Sequence, residues 1–205
     1  VLGLSGGLDS AVTLSLVVSA LGSEKVTGLI MPFHVTESVD LANDHAKSLG
    51  VNAVTININD IVSSYKKSSD LYSEKLSEGN LHSRIRMSLL YGYGFSSNRL
   101  VAGTSNKSEL LIGYYTKWGD GGTDFLPIGD LYKSQIFKLG ESLGVPSEIL
   151  TRKPTAELWP GQTDEADIGL TYYELDKILF ELERFSSVPK ISKKIGISSK
   201  KIKKI

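Results

Sequence analysis

No cysteine occurs in the 205 residues, which excludes disulfides, thiolate metal sites and a cysteine nucleophile within the chain. The same absence argues against sulfur-transfer chemistry and against a cysteine-dependent glutaminase inside this stretch. No apolar run is long enough to span a bilayer, and the first residues do not read as a secretory leader, so a cytoplasmic protein with no membrane partner is expected. The chain starts at Val1, inside an apolar run and without Met, so further residues beyond its ends are expected. Net charge is absent too, but unevenly. Residues 190–205 hold seven lysines and no acid, which leaves sixteen basic against twenty-three acidic side chains in the rest. So acidic a body is a poor nucleic-acid surface, and no nucleic-acid partner is expected. Asn106-Lys107-Ser108 fits a glycosylation sequon, but nothing else points to secretion and the match is read as chance.

With 40% hydrophobic residues, the chain can bury one substantial core, so a single domain over residues 1–205 is expected. Val1 to Ser5 reads as the end of a buried strand. From Leu8, the apolar residues Ala11, Leu14, Val18 and Leu21 recur at helical steps. Between them lies Ser5-Gly6-Gly7-Leu8-Asp9-Ser10. Two glycines let the backbone approach a ligand, the helix start offers unpaired N–H groups, and Ser5 and Ser10 add hydroxyls. These are the parts of a phosphate site. The lysine of a P-loop is missing, and Asp9 puts a carboxylate beside the phosphates, which makes sense if Mg²⁺ lies between them. The plain alternative is a tight strand-to-helix turn with Asp9 compensating the helix dipole.

Val26 to Met31 reads as a second strand, Thr36 caps a helix ending near Gly50, and Val54, Ile56 and Ile58 alternate as in an edge strand. Residues 61–97 read as helices broken at Gly79. Leu100 to Gly103 and Phe125 to Ile128 supply a fourth and a fifth strand, separated by the glycine-rich loop Tyr114 to Asp124. Asp130 caps a helix carrying Ile136, Leu139 and Leu143. Residues 151–170 read as a mobile excursion suited to act as a lid, Thr171 and Glu174 as a capping box, and the lysine-rich tail as short amphipathic helices. Strands separated by helix-length segments imply a doubly wound, parallel, five-stranded sheet flanked by helices: an α/β, Rossmann-like fold. Ligands in such sheets bind at the carboxyl ends of the strands, where Ser5-Gly6-Gly7 falls.

Other residues depart from local rules. Lys133 falls in a first helical turn, where the dipole disfavours a cation by about 0.3–1 kcal/mol. An anion should offset it, and removing Lys133 should then slightly raise stability; the alternative is a snorkelling surface lysine. Glu109 is either a second Mg²⁺ carboxylate or helix-face charge. Arg84 and Arg86, two of only five arginines, suit either phosphates or surface ion pairs.

Five segments together carry a resemblance. They are Leu4 to Ser10, Gly79 to Met87, Gly103 to Glu109, Tyr115 to Asp124 and Lys153 to Glu165. In this order they are similar to the ammonia-dependent NAD synthetases, members of the ATP-pyrophosphatase superfamily. The family places a His-Lys pair near its C-terminus that has no counterpart before Ile205. The resemblance implies ATP as co-substrate, with Gly3, Leu4, Ser5, Gly6, Gly7, Leu8, Asp9, Ser10, Met31, Thr104, Lys133 and Thr155 around it. It implies Mg²⁺ on Asp9 and Glu109, and deamido-NAD⁺ against Arg84, Lys117 and Asp124. Lys133 and Asp120 are the catalytic candidates, and a homodimer is implied. The implied reaction has two steps. The nicotinate carboxylate attacks the α-phosphorus of ATP and pyrophosphate leaves, then ammonia displaces AMP to give the amide. Asp120 would attract ammonium and accept its proton; the alternative is an Asx-type turn. A GMP synthetase core and a non-catalytic nucleotide sensor are the rival readings. The first should lack the loop from Lys117 to Asp124, and the second needs neither two Mg²⁺ carboxylates nor Lys133.

Overall fold

A computed structural model describes residues 1–34, 36–155, 159 and 161–205. Strand β1 (Leu2–Gly3) runs into helix α1 (Leu8–Leu21), followed by β2 (Thr27–Ile30), α2 (Glu37–Ser48) and β3 (Asn52–Thr55). All pairings are parallel, in the order β1-β2-β3, with Leu2 opposite Gly28 and Gly28 opposite Ala53. Every residue of β2 is buried, whereas Asn52 and Thr55 of β3 are exposed, as the alternation predicted for an edge strand. Gly28 leaves room at the centre of this sheet for Leu4, whose Cδ1 a Cβ there would meet at 2.2 Å and displace.

The expected five strands are corrected to three. Residues 100–103 and 125–128 each make only isolated parallel bridges, Leu2 with Ala102 and Ala102 with Phe125. Local competition explains the loss. The Val101 N–H bonds the Asp124 carboxylate at 2.7 Å instead of a neighbouring strand, and Pro127 has no N–H to give. These two segments still lie beyond β1 on the side away from β2. The chain therefore departs in opposite directions from β1, and the Ser5-Gly6-Gly7 turn sits at that switch point.

Helices cover both faces of the sheet. Leu14 and Val17 of α1 and Ala42 and Ala46 of α2 pack with Leu2 and Ile30 on one face. On the other, Leu29 and Val101 meet Val62 of α3 (Asn59–Ser68) and Leu81 and Ile85 of α4 (Lys75–Ser97). Leu2, Leu29 and Ile30 are wholly buried, each worth about 1.5–3 kcal/mol. Gly79 does not break a helix; it is buried inside α4.

The second half of the chain builds helices α5 (Lys107–Ile112), α6 (Lys133–Ser142), α7 (Ser147–Leu150), α8 (Asp164–Ile168), α9 (Tyr172–Glu183), α10 (Val188–Ile195) and α11 (Ser199–Ile202). Asp130 does not cap α6. Its N-cap is Tyr132, and Asp130 stands exposed with its carboxylate 3.1 Å from Lys107 Nζ. The tail behaves as its spacing predicted: Ile191 and Ile202 are buried against Leu175 and Ile178 of α9. Among the described residues, no helix is long and apolar enough to cross a membrane.

Candidate active site

A cleft of about 1090 Å³ opens at the carboxyl ends of β1 and β2. Its floor is the turn into α1. Gly6 adopts φ +76°, and a Cβ there would sit 2.2 Å from the Ser38 carbonyl oxygen at the start of α2. Only glycine fits both demands. The turn is braced from within: the Gly7 N–H donates to Ser5 Oγ at 3.2 Å, and the Ser10 hydroxyl donates to the Gly7 carbonyl at 2.9 Å. The first turn of α1 thus faces the cleft with the positive end of its dipole.

Three more helix starts bring charge to this floor. Asn106 caps α5 and accepts the Glu109 N–H at 3.0 Å, while the Glu109 carboxylate accepts the Asn106 N–H at 3.2 Å, a reciprocal capping box. Asn106 Nδ2 also donates to Asp9 Oδ1 at 3.3 Å. Asn106 is wholly buried, so the sequon is indeed no acceptor in the folded chain. From the first position of α6, Lys133 reaches the Asp9 carboxylate as an ion pair and lies 3.9 Å from Glu109 Oε1. The ring of Tyr172, at the start of α9, covers Lys133 with its centroid 5.0 Å from Nζ. The Tyr172 hydroxyl donates to Glu109 at 3.3 Å and to Asp164 at 3.1 Å.

Burial governs the electrostatics. It pulls the Lys133 ammonium down, but Asp9 and Glu109 outweigh it and hold the pKa above the ordinary lysine value. Burial, and then the charge of Asp9, push the Glu109 carboxyl up to about 8. Burial also raises Asp164. This donor set suits a hard divalent cation. Two carboxylates converge on Lys133, and burial, then the charge of the other, pushes one of them toward its neutral form. No group of three or more His, Cys, Asp or Glu side chains able to hold a metal is found among the described residues.

Most of the expected site residues come together here. Gly3, Leu4, Ser5, Gly7, Leu8, Asp9, Ser10, Met31, Thr104, Glu109, Asp120, Lys133 and Thr155 all line the cleft, with Gly6 turned against Ser38 beneath it. Asp120 accepts the Ser83 hydroxyl and the Thr116 N–H, each at 2.8 Å and each on Oδ1. The three residues that the resemblance gives to the dinucleotide do not line the cleft. Arg84 Nε donates to the Lys117 carbonyl at 3.3 Å, Lys117 Nζ lies 5.5 Å from the exposed Trp118 ring, and Asp124 accepts from Tyr91 at 3.0 Å. Arg86 lines the cleft instead, its Nε bonded to the Met31 carbonyl at 2.9 Å. In the segment from Lys153 to Glu165, residues Ala156, Glu157, Leu158 and Pro160 lie outside the described residues. Its remainder is tied down by Gln162, which donates to Asp167 at 2.9 Å, and by Asp164, which accepts from the Tyr114 hydroxyl at 3.3 Å.

Sequence reasoning passed over Asn106, Tyr172 and Asp164. The Asn-x-x-Glu spacing before Leu110 was a readable capping signal for the first, whereas the other two arrive from α8 and α9 by long-range packing alone.

Comparison with known proteins agrees with this geometry. The NAD synthase family model matches residues 1–205. The chain is 56% identical over 187 residues to the NH₃-dependent NAD⁺ synthetase of Archaeoglobus fulgidus, covering 90% of this chain and 75% of that one. Among solved structures, an NMN synthetase from Francisella tularensis superposes with a TM-score of 0.83 at 36% identity, covering 98% of this chain and 85% of that one. The NH₃-dependent NAD synthetase of Campylobacter jejuni gives 0.76 at 34% identity, with 98% and 83% covered. With Ser5-Gly6-Gly7 at the strand switch point, Lys133 between two carboxylates and a family match along its whole length, the chain belongs to the NAD synthase family.

Proposed function

We propose that residues 1–205 form one catalytic domain that amidates deamido-NAD⁺ with ammonia at the expense of ATP, releasing AMP and pyrophosphate, as the last step of NAD⁺ synthesis. The observation that carries this reading is Lys133, buried between Asp9 and Glu109 where the N-terminus of α1 meets the cleft. ATP phosphates rest on the N–H groups of the first turn of α1 and on the Ser5 and Ser10 hydroxyls. Met31, Thr104 and Thr155 line the rest of its site. Lys133 follows the charge that builds up as the α-phosphorus is attacked by the nicotinate carboxylate. Asp9 and Glu109 would hold Mg²⁺, which when bound neutralises the leaving pyrophosphate. Asp120 then receives ammonium and takes its proton, so that the free amine attacks the acyl carbon and AMP departs. Lys153, Pro154, Thr155 and Gln162, which line the cleft, help to exclude water, which would hydrolyse the adenylate.

Arg84, Lys117 and Asp124 hold the dinucleotide on a surface that continues from the glycine-rich loop. Exposed apolar residues stand at Trp118 (69%) in that loop and, separately, at Leu71 (76%) and Leu76 (61%) near the start of α4, which supports a homodimer. The enzyme works in the cytoplasm.

A second reading follows from the likeness to the Francisella NMN synthetase: the acceptor is a mononucleotide. One experiment separates the two. The protein is mixed with ATP, Mg²⁺ and ammonium, together with either deamido-NAD⁺ or nicotinate mononucleotide. NAD⁺, AMP and pyrophosphate from the dinucleotide alone support the proposal. Turnover of the mononucleotide in preference supports the second reading, and turnover of neither removes both.

A further inference from the structure

We infer that Asp176, a buried carboxylate on α9 with no contact to the cleft, is a positioning residue that sets Lys133 and Glu109 in place. The inference rests on the proposed reaction for its consequence, but on geometry for its substance.

Gln135 Oε1 accepts the N–H of Tyr132, the N-cap of α6, at 2.8 Å, but Tyr132 offers no short oxygen to the N–H groups of Lys133 and Ser134. Those two groups need partners from elsewhere. The Lys133 N–H donates to Ser108 Oγ at 3.0 Å, and the Ser134 N–H donates to Asp176 Oδ2 at 2.8 Å. The Ser108 hydroxyl in turn donates to Asp176 Oδ1 at 2.5 Å. One carboxylate therefore closes a chain of bonds through three helices: α9 supplies the charge, α5 the hydroxyl and α6 the backbone.

Two consequences follow. First, the anion that a helix start favours is Asp176, which leaves the Lys133 side chain committed to Asp9 and Glu109. Second, Ser108 precedes Glu109 on α5, so the same bond that fixes the Lys133 backbone fixes the backbone beside the second carboxylate. Asp176 is 6% exposed and Ser108 wholly buried, so water does not replace either partner. Loss of the charge would let the start of α6 shift by a fraction of an ångström. A misplacement of about 1 Å in a positioned group costs on the order of a hundredfold in rate.

The test uses Asp176→Asn and Ser108→Ala in the intact chain, each assayed well below its melting temperature. Asn is isosteric but loses the charge and offers a donor where an acceptor is needed; Ser108→Ala removes the relay and leaves Asp176 alone, and serves if Asp176→Asn does not fold. Single-turnover pyrophosphate release should slow by roughly tenfold to a hundredfold with little change in KM for ATP. Asp176→Asn should cost much less in a Lys133→Ala background than alone, since most of its effect passes through that lysine and only the part carried by Glu109 remains. A readout free of turnover accompanies these rates. In ¹⁵N-lysine-labelled protein, the buried Lys133 ammonium should give a signal protected from exchange that is lost in both variants. An unchanged protected signal in a folded variant overturns the inference, as does an equal fold-loss with and without Lys133. Failure of the wild type to release pyrophosphate would instead remove the proposed reaction and leave the lysine signal to decide the positioning.

Discussion

Lys133 Nζ is buried against the Asp9 carboxylate, joining the first turn of α6 to the first turn of α1 across 124 residues of sequence. The helix dipole alone would make Lys133 a liability, and sequence reasoning expected its removal to raise stability. The ion pair reverses that sign. Without the ammonium, Asp9 and Glu109 face each other at the partly exposed floor of the cleft, and breaking a fully buried pair would cost about 3–5 kcal/mol, an upper bound here. Glu109 can take up a proton with its pKa already near 8, so Lys133→Met should fall at the lower end of that range. Millimolar Mg²⁺ should restore much of the lost melting temperature in the variant, since a divalent cation answers the same carboxylates. A variant that melts at or above the wild type without Mg²⁺ would return the argument to the dipole.

Gly6 and Gly7 look alike in sequence but carry different loads. Gly6 combines φ +76° with a would-be Cβ contact of 2.2 Å to the Ser38 carbonyl, whereas a Cβ on Gly7 would meet only Ser5 Oγ at 3.3 Å. Gly6→Ala should therefore lose at least the roughly 1–3 kcal/mol of a strained backbone, and more from the clash with α2. Gly7→Ala should lose well under half as much stability. Urea denaturation of the two variants decides the matter, and equal midpoints would refute the assignment.

These two cases show which parts of the site can be read from a sequence. The turn from Ser5 to Ser10 is a local object: its glycines, hydroxyls and helix start all lie within a few residues, and periodicity locates it. Glu109 was left open between a metal carboxylate and helix-face charge by its position alone and was singled out by the resemblance, although the Asn106 cap three residues before it was a local signal. The burial of Lys133 was not legible, because Tyr172 and Asp176 come from a helix whose own pattern announces only an apolar face. The fourth and fifth strands failed for a related reason. Their residues have strand character, but the side chain of Asp124 takes the Val101 N–H that a ladder would need. Lys117 and Asp124 belong to the glycine-rich loop and Arg84 bonds to it, but that all three lie outside the cleft is a placement that no spacing rule foretells.

Stability should fall on the acid side through His82. Its ring is 2% exposed and packs against Phe33 with centroids 4.3 Å apart. Burial first, and then the charge of Arg86, lower its pKa to about 4. The unfolded chain, with a histidine pKa of about 6.5, binds the proton first. The native state is therefore fully stable above about pH 6.5 and loses about 1.4 kcal/mol per unit as pH falls toward about 4. At about pH 5 the penalty is roughly 2 kcal/mol. Urea titrations at about pH 7.5 and about pH 5 should show His82→Asn losing less than the wild type by that amount. Parallel losses would assign the acid sensitivity to other groups.

Asp120 offers the sharpest separation of structure from chemistry. Its Oδ1 is occupied, accepting the Ser83 hydroxyl and the Thr116 N–H, while the Asp120 N–H donates back to Ser83 Oγ at 2.9 Å. These bonds are the turn that a plain structural role requires, and they also aim the carboxylate, since a group held at one oxygen presents the other in a fixed direction. Among the described residues Oδ2 takes no bond, and Asp120 lines the cleft. An amide can keep the two bonds at Oδ1 but carries no charge and no basicity at the second position. Asp120→Asn should therefore fold normally and release pyrophosphate in a single turnover at the wild-type rate. Amide formation should slow by on the order of a hundredfold near neutral pH, the usual range for a positioned base. Raising the pH supplies ammonia that already has its lone pair, so the deficit should shrink steadily toward the ammonium pKa. A variant that amidates as fast as the wild type at neutral pH would leave Asp120 only its turn.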